Sequence, residues 1–305
     1  MELHHLRCAV AIHETGSFTA AAQALHLSQP ALSHAVARLE RELGARLFDR
    51  GADGSRATDA GRALLGPARR ALAEADAGRA AVAAVSGVVT GQLRLGVSRS
   101  ATSEVAELAL RFHRRHEGVR VLIHSAVSNA EVVDQVRGGR CDVGVTRWAT
   151  VPEGLNGVVA ARQEVVILMD EALAPTGPTV QRGELDDIPF VAPGPETAGR
   201  RDFDQIMASL GVSAPRITVE TSELAVALGL ARGGMGAVLT TYSSTIVQQA
   251  FGLVSRSIRP LMQSTLLVLT RDQPSPAARA FVDAVVAEPI DPRHPPLELK
   301  PGVRA

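Results

Sequence analysis

Gln29, Ser33, His34 and Arg38 recur four and five residues apart, a spacing that sets them along one side of a helix. Leu32, Val36, Leu39 and Leu43 take the other side. The polar set has one chemistry in common, hydrogen bonding to planar polar edges. A glutamine amide offers the donor and acceptor that match adenine, a hydroxyl or imidazole reaches a base edge or a phosphate oxygen, and a guanidinium takes guanine or phosphate in a fork. Arg38 has an alternative, because Glu42 stands four residues on and is placed for a surface ion pair. Ser17, Thr19 and Ser28 add hydroxyls at helix starts and Pro30 fits a first turn, while Arg50 and Arg56 flank a Gly- and Asp-rich stretch and suit phosphate or minor-groove contact. The competing reading is a solvated helix face, which an isolated helix pair would favour.

A second set follows apolar runs. Ser98, Ser100 and Thr102 come just after "LRLGV", Ser128 and Asn129 after "VRVLIHSA", and Thr146, Arg147 and Trp148 at the end of "CDVGV". Thr197 with Arg200 or Arg201 comes from "GPETAGRR". Hydroxyls and free N–H groups at helix starts, backed by an arginine, suit a small carboxylate or similar anion. Each hydroxyl serves equally well as a helix cap, and Trp148, the one tryptophan, has packing as its competing role.

The elements that position these residues are legible as changes of period. Leu3, Leu6, Val10 and Ile12 give a first helix stopped by Gly16; Phe18, Ala21, Ala22 and Leu25 give a second; the third starts at a Ser28 cap and ends at Gly44. Short helices about three residues apart, with alanines that let the backbones approach, form a helix-turn-helix. "LFDRGADGSRAT" reads as a hairpin or wing. Thr58 then caps a helix from about Asp59 to Val85 whose apolar stripe, with Leu65, Leu72, Ala75 and Val82, is too narrow to bury alone and implies pairing with a copy of itself. After the break "SGVVTG" comes a βαβαβ series, then a second series from "EVVILM" through "GAVLT", a late strand "STLLVLTRD", the helix "PAARAFVDAVVA" and a proline-rich end from Glu288. Such doubly wound units bind ligands beyond the carboxyl ends of their strands, where the second polar set stands.

Composition narrows the function. The 32 Lys and Arg residues balance 32 Asp and Glu, an objection to nucleic-acid binding that weakens because Lys300 is the only lysine and nearly every cation is a forked arginine. Cys8 and Cys141 lie far apart, without metal-ligand spacing, and read as buried thiols. There is no span-length apolar stretch and no basic-then-apolar leader, so a cytoplasmic protein is expected. No strand-linked glycine fingerprint, P-loop, nucleophile elbow or zinc motif is present, and Cys141 beside Asp142 makes no site; neither catalysis, cofactor nor metal is expected. A binding module without DNA activity fits the N-terminal helices poorly.

The sequence resembles the LysR-type bacterial transcriptional regulators. The matching stretches are "GSFTAAAQAL", "LSQPALSHAVARLERELGARLFDR" and "TDAG", followed by "GQLRLGV", "GGRCDVGV", "LARGGMGAVL" and "RDQPSPAARAFVDAV". The resemblance implies an α/β protein with an all-α N-terminal part. A winged helix-turn-helix DNA-binding domain would occupy 1–58, a linker and dimerisation helix 59–90, and a two-lobed periplasmic-binding-protein-like effector domain (type 2) 91–305. Lobe I would take about 91–161 and 266–288, and lobe II about 162–265, with crossings near Ala161–Gln163 and Gln263–Thr265. The partners implied are a double-stranded promoter site of approximate two-fold symmetry, a small-molecule effector between the lobes, further copies of the chain as dimer or tetramer, and RNA polymerase. Ala9 and Ala57 stand where the family carries larger residues, and His34 where it commonly has arginine.

Overall fold

The computed structural model describes residues 1–51, 54–84, 89–147, 150–241 and 252–290. The wing tip, the break after the long helix, Trp148 and the proline-rich end from 291 fall outside the described residues, as does the side chain of Arg50. Three helices open the chain: α1 (Leu3–Thr15), α2 (Phe18–Ala24) and α3 (Gln29–Leu43). Gly16 and Gly44 close α1 and α3 in the left-handed region, and the Ser17 and Ser28 hydroxyls accept from the Ala20 and Ala31 N–H groups to start α2 and α3. The shared core holds Leu6, Cys8, Ala9, Ile12, Phe18, Ala21, Ala22, Leu32, Ala35, Val36 and Leu39, closed by Leu47 and Phe48. Two positions expected in it are on the surface, Leu3 at 40% and Leu43 at 43% exposure. Both stand in terminal turns, while the helix centres approach through Cys8, Ala9 and Ala35 instead.

Strands β1 (Phe48–Gly51) and β2 (Gly54–Ala57) make the expected antiparallel hairpin. It is pinned to the α1–α2 corner by the Ser55 N–H, which donates to the Gly16 carbonyl at 2.8 Å. The 26-residue helix α4 (Asp59–Ala84) follows, about 39 Å long at 1.5 Å per residue. Its early turns bury Leu65, Ala68 and Arg69, but between Ala71 and Val82 no residue is buried and Val82 is 76% exposed.

Beyond α4, parallel strands β3 (Gly91–Ser98), β4 (Val119–Ala126) and β5 (Val143–Arg147) are joined by α5 (Thr102–Arg115) and α6 (Asn129–Arg137). The chain then runs through the long β6 (Asn156–Met169), β7 (Thr179–Gln181), β8 (Phe190–Ala192), α7 (Ala198–Ser209), β9 (Ile217–Glu220), α8 (Leu224–Arg232) and β10 (Val238–Thr241). It returns through β11 (Val254–Arg259), β12 (Gln263–Thr270) and α9 (Pro276–Ala287). Strand order is β4-β3-β5-β12-β6-β11-β7, with β10 also on β6. The second series mixes directions: β8 and β9 pair in parallel, as do β7 and β11, whereas β10 and β11 run antiparallel to β6, which itself pairs antiparallel with β12. A chain that leaves one lobe along β6 and re-enters along β12 must lay those strands in opposite directions.

Two cores result. One packs Leu93, Leu95, Phe112, Val143, Val145 and Leu266 against Phe281 and Val285 of α9, so the last helix belongs to the first lobe. The other gathers Ile167, Met169, Phe190, Phe203, Met207 and Ile258.

Candidate functional site

At the N-terminal end, burial of Leu32, Val36 and Leu39 turns Ser28, Gln29, Pro30, His34 and Arg38 outward, all exposed, with Ser33 half-buried beside them. Thr19 is exposed on α2 and Ser17 half-buried at its start. Arg56 is exposed on the hairpin strand and Arg50 lies opposite Ser55 in the pairing. The start of α3 and the described strands of the hairpin thus both carry exposed polar side chains. Arg38 makes an ion pair, but its partner is Glu2 at 3.3 Å rather than Glu42, because Glu42 is engaged by the Met1 ammonium. Both Arg38 and Glu2 are more than half exposed, so the pair is weak and leaves the guanidinium available.

The second site is built where β3, β5, β6, β10 and β12 meet. Ser98 and Ser100 lie with their hydroxyls 3.2 Å apart, Ser98 buried and Ser100 exposed. Thr146 is fully buried and donates to Asn129 Oδ1 at 2.7 Å. Arg147, 9% exposed, reaches across: its Nε donates to the Ser100 carbonyl at 2.7 Å, one terminal nitrogen to Ser264 at 3.2 Å, and the other to Glu104 at 2.5 Å, to Thr241 at 3.1 Å and to Gln163. Burial lowers the Arg147 pKa and Glu104 partly restores it. The Nε2 of Gln163, in a side chain with no exposure, has no hydrogen-bond partner among the described residues.

The other nominated residues are held more locally. Thr102 donates to the Arg99 carbonyl, and Ser128 caps α6 by accepting from the Glu131 N–H. Thr197 caps α7, and Arg200 is paired with Asp204 at 2.9 Å and Glu220 at 2.5 Å. Those two carboxylates, Glu220 first, raise the Arg200 pKa. The lobes are bridged at their rim by Arg99, which donates to the Ser222 carbonyl at 2.9 Å and pairs with Glu223 at 3.2 Å. The structure therefore brings Ser98, Ser100 and Thr146 together around Arg147, and leaves Thr197 and Arg200 engaged within the second lobe.

Known families match both halves. "Bacterial regulatory helix-turn-helix protein, lysR family" matches residues 3–62, and "LysR substrate binding domain" matches residues 86–289. The chain belongs to the LysR family. The HTH-type transcriptional regulator TfdS of Cupriavidus pinatubonensis is 29% identical over 298 residues, 93% of this chain and 97% of that one. YnfL of Escherichia coli, an uncharacterized HTH-type regulator, is 30% identical over 254 residues, 81% of this chain and 84% of its own. In fold it is similar to a full-length OxyR variant from Pseudomonas aeruginosa, with a TM-score of 0.76 and 22% identity over 93% of this chain and 94% of that one. It is likewise similar to full-length CbnR in complex with its target DNA, with a TM-score of 0.67 and 22% identity over 94% and 99%. This LysR chain is thus a transcriptional regulator with a DNA-binding helix-turn-helix and an effector-binding domain, not an enzyme.

Sequence reasoning missed most of the inner ring of this LysR cleft: Glu104, Gln163, Thr241, Ser264 and the rim residue Arg99. Glu104 reads as an ordinary acidic residue in a helix's first turn. Gln163 carried a usable signal, being a polar residue inside the apolar run "GVVAARQEVVILM" at the expected crossing between lobes. Among the described residues no group of histidines, cysteines and carboxylates could hold a metal ion, and no helix is long and apolar enough to cross a membrane.

Proposed function

We propose that residues 1–58 read a promoter site of approximate two-fold symmetry, that 59–90 pair two copies of the chain, and that the rest, lobe I at 91–161 and 266–288 and lobe II at 162–265, bind a small effector between them. The observation that carries the DNA half is the outward row Gln29, His34 and Arg38 on a helix whose other side buries Leu32, Val36 and Leu39. In this reading Gln29 and Ser33 contact base edges; His34 and Arg38 reach bases or phosphates; Ser17, Thr19, Ser28, Pro30, Arg50 and Arg56 hold the backbone. The second half of α4, where no described side chain is buried, supports pairing with a second copy of the chain, as a dimer or within a tetramer. The regulator works in the cytoplasm, acts through RNA polymerase, and needs no cofactor. Titration of the full chain against the DNA beside its own gene and against random duplex tests this; equal affinity for both overturns it.

For the effector we propose a small anion held by Ser98, Ser100, Thr102, Ser128, Thr146, Trp148, Thr197 and Arg200. Helix N-termini and the unpartnered Gln163 Nε2 supply donors to it. Arg147 and Arg200 are already paired with carboxylates, so the anion binds mainly to neutral donors or displaces Glu104 from Arg147. A melting-temperature screen pairing each carboxylate with its neutral amide tests the charge. Amides that stabilise as much as acids overturn it.

A further inference from the structure

Helix α6 has its two ends in different places. At its start, Asn129 clamps the end of β5: its Nδ2 donates to the Arg147 carbonyl at 2.8 Å and its Oδ1 accepts from Thr146. Arg147 in turn carries the whole inner ring of the cleft. At its end, about 14 Å away along nine residues, α6 bears on the linker helix. The Arg70 guanidinium of α4 donates to the Arg137 carbonyl at 3.3 Å. Gly139, with φ at +71°, lies so close to α4 that a Cβ there would stand 3.0 Å from Arg70 Cγ, 3.2 Å from the Arg70 backbone nitrogen and 3.4 Å from its Cα.

One residue earlier on α4, Arg69 is buried and pairs through Nε with Glu14 of α1 at 3.4 Å. Its Nη2 has no hydrogen-bond partner among the described residues, and a cavity of about 130 Å³ is lined by Arg69, Glu131, Asp134, Gln135, Gly138 and Arg140. His13 of α1 faces the same junction: burial first, then Arg69 and Arg140, lower its pKa, opposed by Glu14. The first helix of the DNA-binding unit, the linker helix and the end of α6 therefore meet at one point.

We propose that α6 is the rod that couples the cleft to the DNA-binding unit within one chain, with Asn129 as its input and the contact of Gly139 and Arg70 as its output. The physical ground is that a short helix packed along its length moves as a unit: Val132, Val133, Gln135 and Val136 are all buried. A change at Arg147 that shifts Asn129 must shift Gly139 too. Little room exists there, because an atom added to Gly139 would meet the Arg70 backbone as well as the first part of its side chain. Arg69 then passes the displacement to α1 through Glu14. The inference rests on the cleft being the effector site, but its test needs no effector, so its failure leaves that reading standing.

Coupling is reciprocal, so DNA bound at the far end must be felt at the cleft. Trp148, the only tryptophan, directly follows Arg147 in sequence and serves as the emission probe. The probe is a duplex selected from a random pool by the full chain, its binding followed by anisotropy and the cleft by tryptophan emission at saturating duplex. The unsubstituted chain and Arg70→Lys, which keeps a donor for the Arg137 carbonyl, should show an emission shift on binding. Arg70→Glu, which sets a carboxylate against that carbonyl, and Gly139→Val, which wedges α6 off α4, should bind duplex with a shift about two-fold or more smaller. Arg70 is exposed, so its variants remain folded even where Gly139→Val does not. A shift of full size in Arg70→Glu overturns the proposal, as does no shift in the unsubstituted chain.

Discussion

Two glycines in the first turns of α4 should respond to the same substitution with opposite sign. At Gly61 an added Cβ would lie 2.1 Å from the Leu47 carbonyl oxygen. Even a favourable C–H···O contact needs roughly 3.3 Å, so α4 or the wing must move by about 1 Å. That oxygen cannot turn aside: it accepts from the Thr58 N–H at 3.0 Å, and the Leu47 N–H is itself held by Glu40 at 2.7 Å. Alanine gains up to about 1 kcal/mol over glycine in a helix, against about 1–3 kcal/mol or more for overpacking a fixed contact. Gly61→Ala should therefore destabilise the N-terminal unit by up to about 2 kcal/mol net and, by displacing the wing, weaken DNA binding. At Gly66 the new methyl meets only the tip of the Arg70 side chain, at 3.4 Å, so Gly66→Ala should stabilise by about 0.5–1 kcal/mol. Urea unfolding of the full chain, followed by amide exchange in α1–α4, separates the two. Equal stability of Gly61→Ala and Gly66→Ala would refute the reasoning.

At the DNA face, Gln29→Ala should cost about 1–3 kcal/mol on the selected duplex and little on random DNA, whereas Arg56→Ala should weaken both alike and reduce the salt slope by about 1. Equal losses for Gln29→Ala on both duplexes would reject its readout role. Removing Glu104 strands a buried guanidinium, so Glu104→Ala should cost about 3 kcal/mol in urea unfolding, and adding Arg147→Met should recover most of it; a loss under about 1 kcal/mol contradicts the pairing. Burial, and then Asp142, push the Cys141 thiol up to about 12. About one thiol in ten thousand is then ionised at pH 8, and native Cys141 should resist iodoacetamide until urea exposes it. Labelling of the native chain within minutes, read by mass spectrometry, would show that the thiol is not so buried.

Local chemistry made the N-terminal half legible. Gly16, Gly44, Ser17 and Ser28 end and start helices by rules acting within four residues, and the four-residue spacing of Leu32, Val36 and Leu39 decides which way Gln29 faces. The sequence by itself thus determined the helices and the exposed side of α3, and it placed the hydroxyls near the strand ends, although Ser98 and Thr146 stand within β3 and β5 rather than after them. What it could not determine was pairing between residues far apart. The partner of Arg38 is Glu2, 36 positions away rather than four, and the Arg147 ring draws Glu104, Gln163, Thr241 and Ser264 from four separate segments. Only the tertiary structure decided those, along with the antiparallel run of β6 and β12 and the seat of Gly139 on α4. The physical reason is range: capping and periodicity are properties of a few consecutive residues, whereas a buried charge takes whichever partner the packed lobes bring to it.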